Sequence, residues 1–122
     1  MKLTNQRVLI TGGASGIGLA LAQKFLAHNN TVVITGRDLS KLENVKKANP
    51  EFHIFQSDVT IDEDVRHLRD AITQEFMGLD VLINNAGVMN LINTGIEEND
   101  LQKQMQEIEI NYNSPIRVLH YF

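Results

Sequence analysis

A strand-like run, Val8-Leu9-Ile10-Thr11, passes without a spacer into Gly12-Gly13-Ala14-Ser15-Gly16-Ile17-Gly18 and from there into a helical pattern. Few folds accept a strand, a glycine-rich turn and a helix in that order. Gly12 lets the chain leave the strand in a tight turn, Gly16 removes the side chain that would block close backbone approach, and Gly18 lets the helix pack against the strand. The helix N-terminus beyond them offers N–H groups and the positive end of a dipole, which is a seat for an anion such as a dinucleotide pyrophosphate. Glycine turns of this kind also occur where nothing binds, so the motif needs support from the rest of the chain.

That support comes from a repeating pattern. Four β-branched-rich runs, Arg7–Thr11, Thr31–Thr35, Phe52–Gln56 and Val81–Asn84, are each followed by a helix-like stretch. Alternation of this type predicts a parallel sheet with right-handed crossovers and helices on both faces. The first helix places Ile17, Leu21, Ala22, Phe25 and Leu26 on one side and stops near His28-Asn29-Asn30. The second starts at Asp38 or Ser40, with Asp38 suited to cap it, and ends ahead of Asn49-Pro50. The third opens on a capping box, Thr60-x-x-Glu63, carries Ile61, Val65, Leu68, Ile72 and Phe76 along one side, and closes at Gly78. The last begins near Asn99 or Asp100 and carries Leu101, Met105, Ile108 and Tyr112, a stripe that suits a core or a subunit interface. Pro115 falls inside it. Proline has no N–H, so the carbonyl of Asn111 loses its helical donor and must find another partner, whether through a kink or an early stop.

The length of 122 residues suits a single domain. A net charge of −4, with acids and bases mixed, gives no basic cluster for nucleic acid or for an anionic membrane. No apolar run is long enough to span a bilayer. The absence of cysteine excludes disulfide and thiolate chemistry. Polar Thr4, Asn5, Gln6 and Arg7 after Lys2 are unlike a secretory signal, so a cytoplasmic location is expected. His28, His53, His67 and His120 are scattered, with no carboxylate partner at ligand spacing, and no metal site is expected.

The T-G-x-x-x-G-I-G spacing from Thr11 to Gly18, with Asn84-Asn85-Ala86-Gly87 after the fourth strand, resembles the compact single-domain members of the short-chain dehydrogenase/reductase family. Extended members carry one residue fewer between the first two glycines. Met1 to Asn5, with Ile108 to Ile116, looks like the bacterial DltE-like group within it. The resemblance implies an α/β fold, a doubly wound parallel Rossmann-like sheet, and an oxidoreductase that moves hydride between NADP(H) and a carbonyl or alcohol substrate, commonly as a homo-oligomer such as a dimer. It implies cofactor contacts at Gly12, Ser15, Gly16, Ile17 and Gly18, an adenine contact through the Asp58 carboxylate and the Val59 N–H, and a ribose lining from Asn85, Ala86 and Gly87. Val88 and Met89 would border the nicotinamide. Asn111 matches the family asparagine whose carbonyl holds a water in the proton relay.

The cofactor choice turns on the end of the second strand, Ile34-Thr35-Gly36-Arg37-Asp38. Gly36 stands where members that select NAD carry an acid, and Arg37 resembles the basic residue that clamps a 2′-phosphate, so NADP is expected over NAD. Asp38 as a ribose acid, and Arg37 as a surface residue without a role, are the competing readings. Ser15 stands where many NADP-preferring members carry a second basic residue.

The family's catalytic serine, and its tyrosine with a lysine four residues later, have no match. Tyr112 is followed by Ile116 at that spacing, Tyr121 lies beside the last residue, and Ser114 belongs to a helix. Residues 1–122 are therefore expected to be the N-terminal, dinucleotide-binding part of one Rossmann-like domain, truncated after the fourth strand and its helix, inactive alone and prone to self-associate through the fourth-strand edge or the last helix. A non-catalytic dinucleotide-binding module or redox sensor is the alternative.

Overall fold

The computed structural model describes residues 3–87 and 99–122. Four parallel strands, β1 (Arg7–Thr11), β2 (Thr31–Gly36), β3 (His53–Gln56) and β4 (Val81–Ile83), lie side by side in the order β3-β2-β1-β4. Arg7 stands opposite Thr31 and Thr11 opposite Thr35, while Val8 to Ile10 of β1 also pair with Val81 to Ile83. From β1 the chain winds outward through β2 and β3, then returns to place β4 on the other side of β1. The reversal opens a crevice at the carboxyl ends of β1 and β4.

Helices cover both faces, as a parallel sheet requires. Val8, Ile10, Val32 and Ile34 point to one side, where Ala22 of α1 (Gly16–Ala27) and Leu42 of α2 (Leu39–Ala48) pack with Phe52. Leu9 and Val33 point to the other, against Leu68 and Ile72 of α3 (Asp62–Phe76). Each central strand thus reads as an unbroken apolar run because both of its faces are buried. Ile17, expected on the packed side of α1, is 75% exposed instead, because the first turn packs through its neighbour Gly18, which is buried against the turn after β1.

Two helix ends differ from expectation. The capping box at Thr60 does not form: the Thr60 hydroxyl donates to Asp58 Oδ1 at 2.6 Å, and α3 starts after Ile61 with no side-chain cap. Asp64, rather than Glu63, reaches back, its Oδ2 accepting from the Asp58 N–H at 2.9 Å. At the other end Met77 is the C-cap, at φ 57°, and Gly78 follows it at φ 120°, so the turn takes positive φ at both residues rather than at the glycine alone. By contrast Asp38 caps α2, accepting from the Lys41 N–H at 3.2 Å.

The last helical stretch is not continuous. α4 (Asn99–Ile108) passes into a π-helical turn, Glu109–Asn113, and then into α5 (Ser114–Tyr121), which carries Pro115 in its first turn. The proline therefore produces a local widening rather than a stop. Ile110, Ser114 and Val118 face inward, whereas Leu101, Met105, Ile108 and Tyr112 are all exposed and join no core cluster among the described residues.

Candidate functional site

The crevice predicted by the strand order is a cleft of about 710 Å³ at the carboxyl ends of the strands. Its wall includes Gly12, Ser15, Arg37, Asp58, Ala86 and Gly87, so the segments singled out after all four strands meet in one place. Val59 lines it as well. Gly16, Ile17, Gly18, Asn85 and Asn111 are not among the residues that line it. Val88 and Met89 lie outside the described residues.

The turns after β1 and β4 are tied together by side chains. Thr11 Oγ1 accepts the backbone N–H groups of Asn85 and Ala86, each at 3.1 Å, and Asn85 Nδ2 donates to the Gly12 carbonyl at 3.0 Å. Gly12 holds φ +67° with Ala86 pressed against it, a combination that favours glycine. At Gly18 a Cβ would lie 2.4 Å from both Asn85 Nδ2 and the Gly12 oxygen, so the glycine is required for the clamp.

Gly16 is different. It has φ +55°, and none of the described residues comes within 4 Å of where its Cβ would be, so they leave the main chain there bare. Ser15, in extended conformation ahead of α1, makes no side-chain cap bond, and the first turn of α1 contains no acid. Open N–H groups at a bare helix start fit a pyrophosphate. Two buried hydroxyls in the same wall, Thr35 Oγ1 and Ser57 Oγ, have no partner among the described residues, in keeping with a wall made for polar contents.

At the adenosine end, Arg37 is exposed, and a Cβ at Gly36 would meet Leu42 only at ordinary contact distance, 3.9 Å. The Arg37 guanidinium joins no ion pair among the described residues. Asp58 holds its loop: Oδ1 accepts from the Thr60 N–H at 2.9 Å and from the Thr60 hydroxyl. Asn111 sits in the π-turn with its Oδ1 3.2 Å from the place of a Gly87 Cβ, so it lies beside the cleft rather than in its wall.

Several contributors were missed in the sequence. Ile110, Lys41 and Gln56 also line the cleft. Ile110 was hidden by its neighbours on the exposed stripe, and Lys41 by lying on the helix after the strand end that drew attention. Among the histidines, His67 does face a carboxylate one turn away, Glu63 at 3.8 Å, and His53 lies 3.7 Å from Glu75. Neither gathers a third ligand, and no metal-binding group exists among the described residues. No described helix is long and apolar enough to cross a membrane.

The family model described as short chain dehydrogenase matches residues 6–122. An uncharacterized oxidoreductase, DltE of Bacillus subtilis, is 38% identical over 122 residues, covering 100% of this chain and 48% of that protein. Zerumbone synthase of Zingiber zerumbet is 30% identical over 116 residues, covering 93% of this chain and 43% of its own length. The crystal structure of a short-chain dehydrogenase from Streptomyces avermitilis superposes with a TM-score of 0.86 at 27% identity, over 100% of this chain and 44% of that one. The chain thus spans about half the length of the curated relatives it matches.

Proposed function

The chain belongs to the short-chain dehydrogenase family, and on that premise we propose that it forms the N-terminal, nucleotide-binding part of an oxidoreductase acting between NADP(H) and a small carbonyl or alcohol substrate. One observation carries the reading: Ser15, the residue immediately ahead of the uncapped start of α1, lines the same cleft as Arg37 and Asp58. In this reading a diphosphate seat, a cation and an acid share one crevice.

In this reading the N–H groups of Ser15 to Gly18 hold the pyrophosphate. The Arg37 guanidinium takes the 2′-phosphate with two parallel bonds, and Gly36 leaves room for it. The Asp58 carboxylate and the Val59 N–H meet the adenine edge, while Asn85, Ala86 and Gly87 border the nicotinamide ribose. A bound nicotinamide would supply or accept hydride. Asn111 would hold a water that passes protons to the catalytic side chains, which residues 1–122 do not include under this reading. Self-association through the exposed stripe of α4 and α5 belongs to the same proposal.

The test is direct titration of the chain with NADPH, NADH and adenosine 2′,5′-bisphosphate, followed by fluorescence or calorimetry. Saturable binding, with NADPH tighter than NADH, is the expected result. No binding of any of the three would remove the nucleotide reading.

A further inference from the structure

We propose that Arg117 is a positioning residue, one that locks the π-turn carrying Asn111 to the adenine-facing loop so that filling the adenosine end of the cleft fixes where Asn111 stands. The inference rests on the nucleotide reading above. It adds a residue that lies outside the cleft and has no place in the motifs.

Arg117 projects from α5, and each of its three nitrogens has a different task. Nη1 donates to the Val59 carbonyl at 2.9 Å, Nε to Asp62 Oδ1 at 3.1 Å, and Nη2 to Glu109 Oε1 at 2.9 Å. Three separate pieces of chain, the loop after β3, the start of α3 and the head of the π-turn, are therefore held by one planar fork. A lysine has a single point of charge and cannot span them in this way.

Both carboxylates are held in turn. Glu109 Oε2 accepts from Asn113 Nδ2 at 2.8 Å, and the Glu109 backbone carbonyl accepts the Ser114 hydroxyl at 2.8 Å, which closes the π-turn on itself. Asp62 Oδ2 accepts the Tyr121 hydroxyl. The Asn113 and Arg117 hydrogen bonds keep the Glu109 carboxyl below its ordinary range, and those of Tyr121 and Arg117 do the same for Asp62. Both carboxylates are ionised at neutral pH.

The connection runs in a ring. Val59 is in the cleft wall; Arg117 ties it to Glu109; the π-turn runs from Glu109 through Ile110, itself in the cleft wall, to Asn111; and Asn111 Oδ1 rests against Gly87, back in the wall. A π-turn is a wide and weakly held form of helix, so its geometry depends on what grips its first residue. Here that grip passes through the carbonyl of Val59, a residue that also lines the cleft.

The experiment is amide hydrogen exchange on the full 122-residue chain, with and without saturating adenosine 2′,5′-bisphosphate, for the wild type, Arg117→Met, Arg117→Lys and Glu109→Gln. This probe fills only the adenosine end. In the wild type, exchange at residues 109–113 should slow by about fivefold or more on binding, the low end of coupling between distinct sites. In Arg117→Met the slowing at 109–113 should vanish while residues 58–59 remain protected, and Arg117→Lys and Glu109→Gln should fall between. Loss of an ion pair that only stabilises the fold would lower protection everywhere and leave the ligand-induced change at 109–113 intact. If Arg117→Met does not fold, as seen by circular dichroism, the other two variants decide. A wild type that binds the probe without slowing at 109–113, or variants that keep the slowing, overturn the role of Arg117 alone. A wild type that does not bind the probe overturns the nucleotide reading, and this inference with it.

Discussion

The side-chain amide of Asn85 donates to the Gly12 carbonyl at 3.0 Å, joining the turn after β4 to the turn after β1 across the floor of the crevice. Gly18 sits directly beneath that bond, since a Cβ there would strike both partners at 2.4 Å. The two positions should fail in the same way. Asn85→Ala leaves the Gly12 carbonyl without its partner and is expected to cost about 1–3 kcal/mol of stability, read as a lower urea midpoint. Gly18→Ala must push the two turns apart and should cost at least as much. Gly16→Ala should separate fold from binding. Its methyl meets none of the described residues, so only the strain of a left-handed alanine, on the order of 1 kcal/mol, falls on stability. Nucleotide affinity should drop far more, because the methyl occupies the approach to the bare main chain. A Gly16→Ala chain that binds NADPH as the wild type does would take the pyrophosphate away from α1.

Arg37 should govern the choice of cofactor. Hydrogen bonds to charged groups contribute about 1.5–3 kcal/mol, so Arg37→Ala is expected to weaken NADPH by roughly tenfold to a hundredfold and leave NADH nearly unchanged. Arg37→Glu should go further, because it places a carboxylate next to the 2′-phosphate. Fluorescence titration of both nucleotides checks the claim. Equal loss for NADPH and NADH would mean that Arg37 supports the fold of the loop and does not read the phosphate.

Acid sensitivity should centre on the opposite end of the sheet. Asp80 Oδ2 accepts from the Arg7 N–H at 2.8 Å and from Arg7 Nε at 2.9 Å, while Oδ1 accepts from Nη2 at 2.9 Å. These bonds hold the Asp80 carboxyl well below the usual carboxylate range. The folded value is depressed relative to an unfolded value near about 3.9, so the unfolded chain takes up the proton first. The stabilisation is therefore present above about pH 4 and is lost as pH falls below it. Asp80→Asn should lower the urea midpoint at pH 7 and narrow the gap to the wild type at pH 3. The slope will not vanish, since Asp62 and Glu109 are depressed in the same direction. A gap that stays constant with pH would show that Asp80 acts through its shape alone.

Much of this arrangement was legible in the residues, and for identifiable reasons. Strand positions were readable because β1 and β2 are buried on both faces and show as uninterrupted apolar runs, and Asp38 was readable as a cap because capping is local. The cleft followed from glycines whose spacing leaves little freedom. What could not be read depends on which residues meet across the fold. The start of α3 is settled by Asp64 and Asp58 rather than by the Thr60–Glu63 pair that local spacing favours. Pro115 signalled a disturbance, but its form, a π-turn closed by Ser114 and gripped by Arg117, needed partners up to 58 positions away.

The exposed stripe carries the last prediction. Leu101, Met105, Ile108, Tyr112, Ile116 and Leu119 are each more than half exposed and follow one another at steps of three or four along α4, the π-turn and α5. Ile110, Ser114 and Val118 take the inward face, so the chain has apolar residues on both sides of this helical stretch. A contiguous apolar face of this length is more than a monomer normally shows to water. A second copy of the chain, packed about a two-fold axis, would bury the same stripe on both partners. Ile108→Glu and Ile116→Lys, tested singly by sedimentation equilibrium, should each weaken self-association by about tenfold or more, as expected when a central interface residue is lost. The edge of β4 offers the other route to association, through main-chain pairing. Pairing there would leave both variants as associated as the wild type, whereas a wild type monomeric at high concentration would exclude both routes.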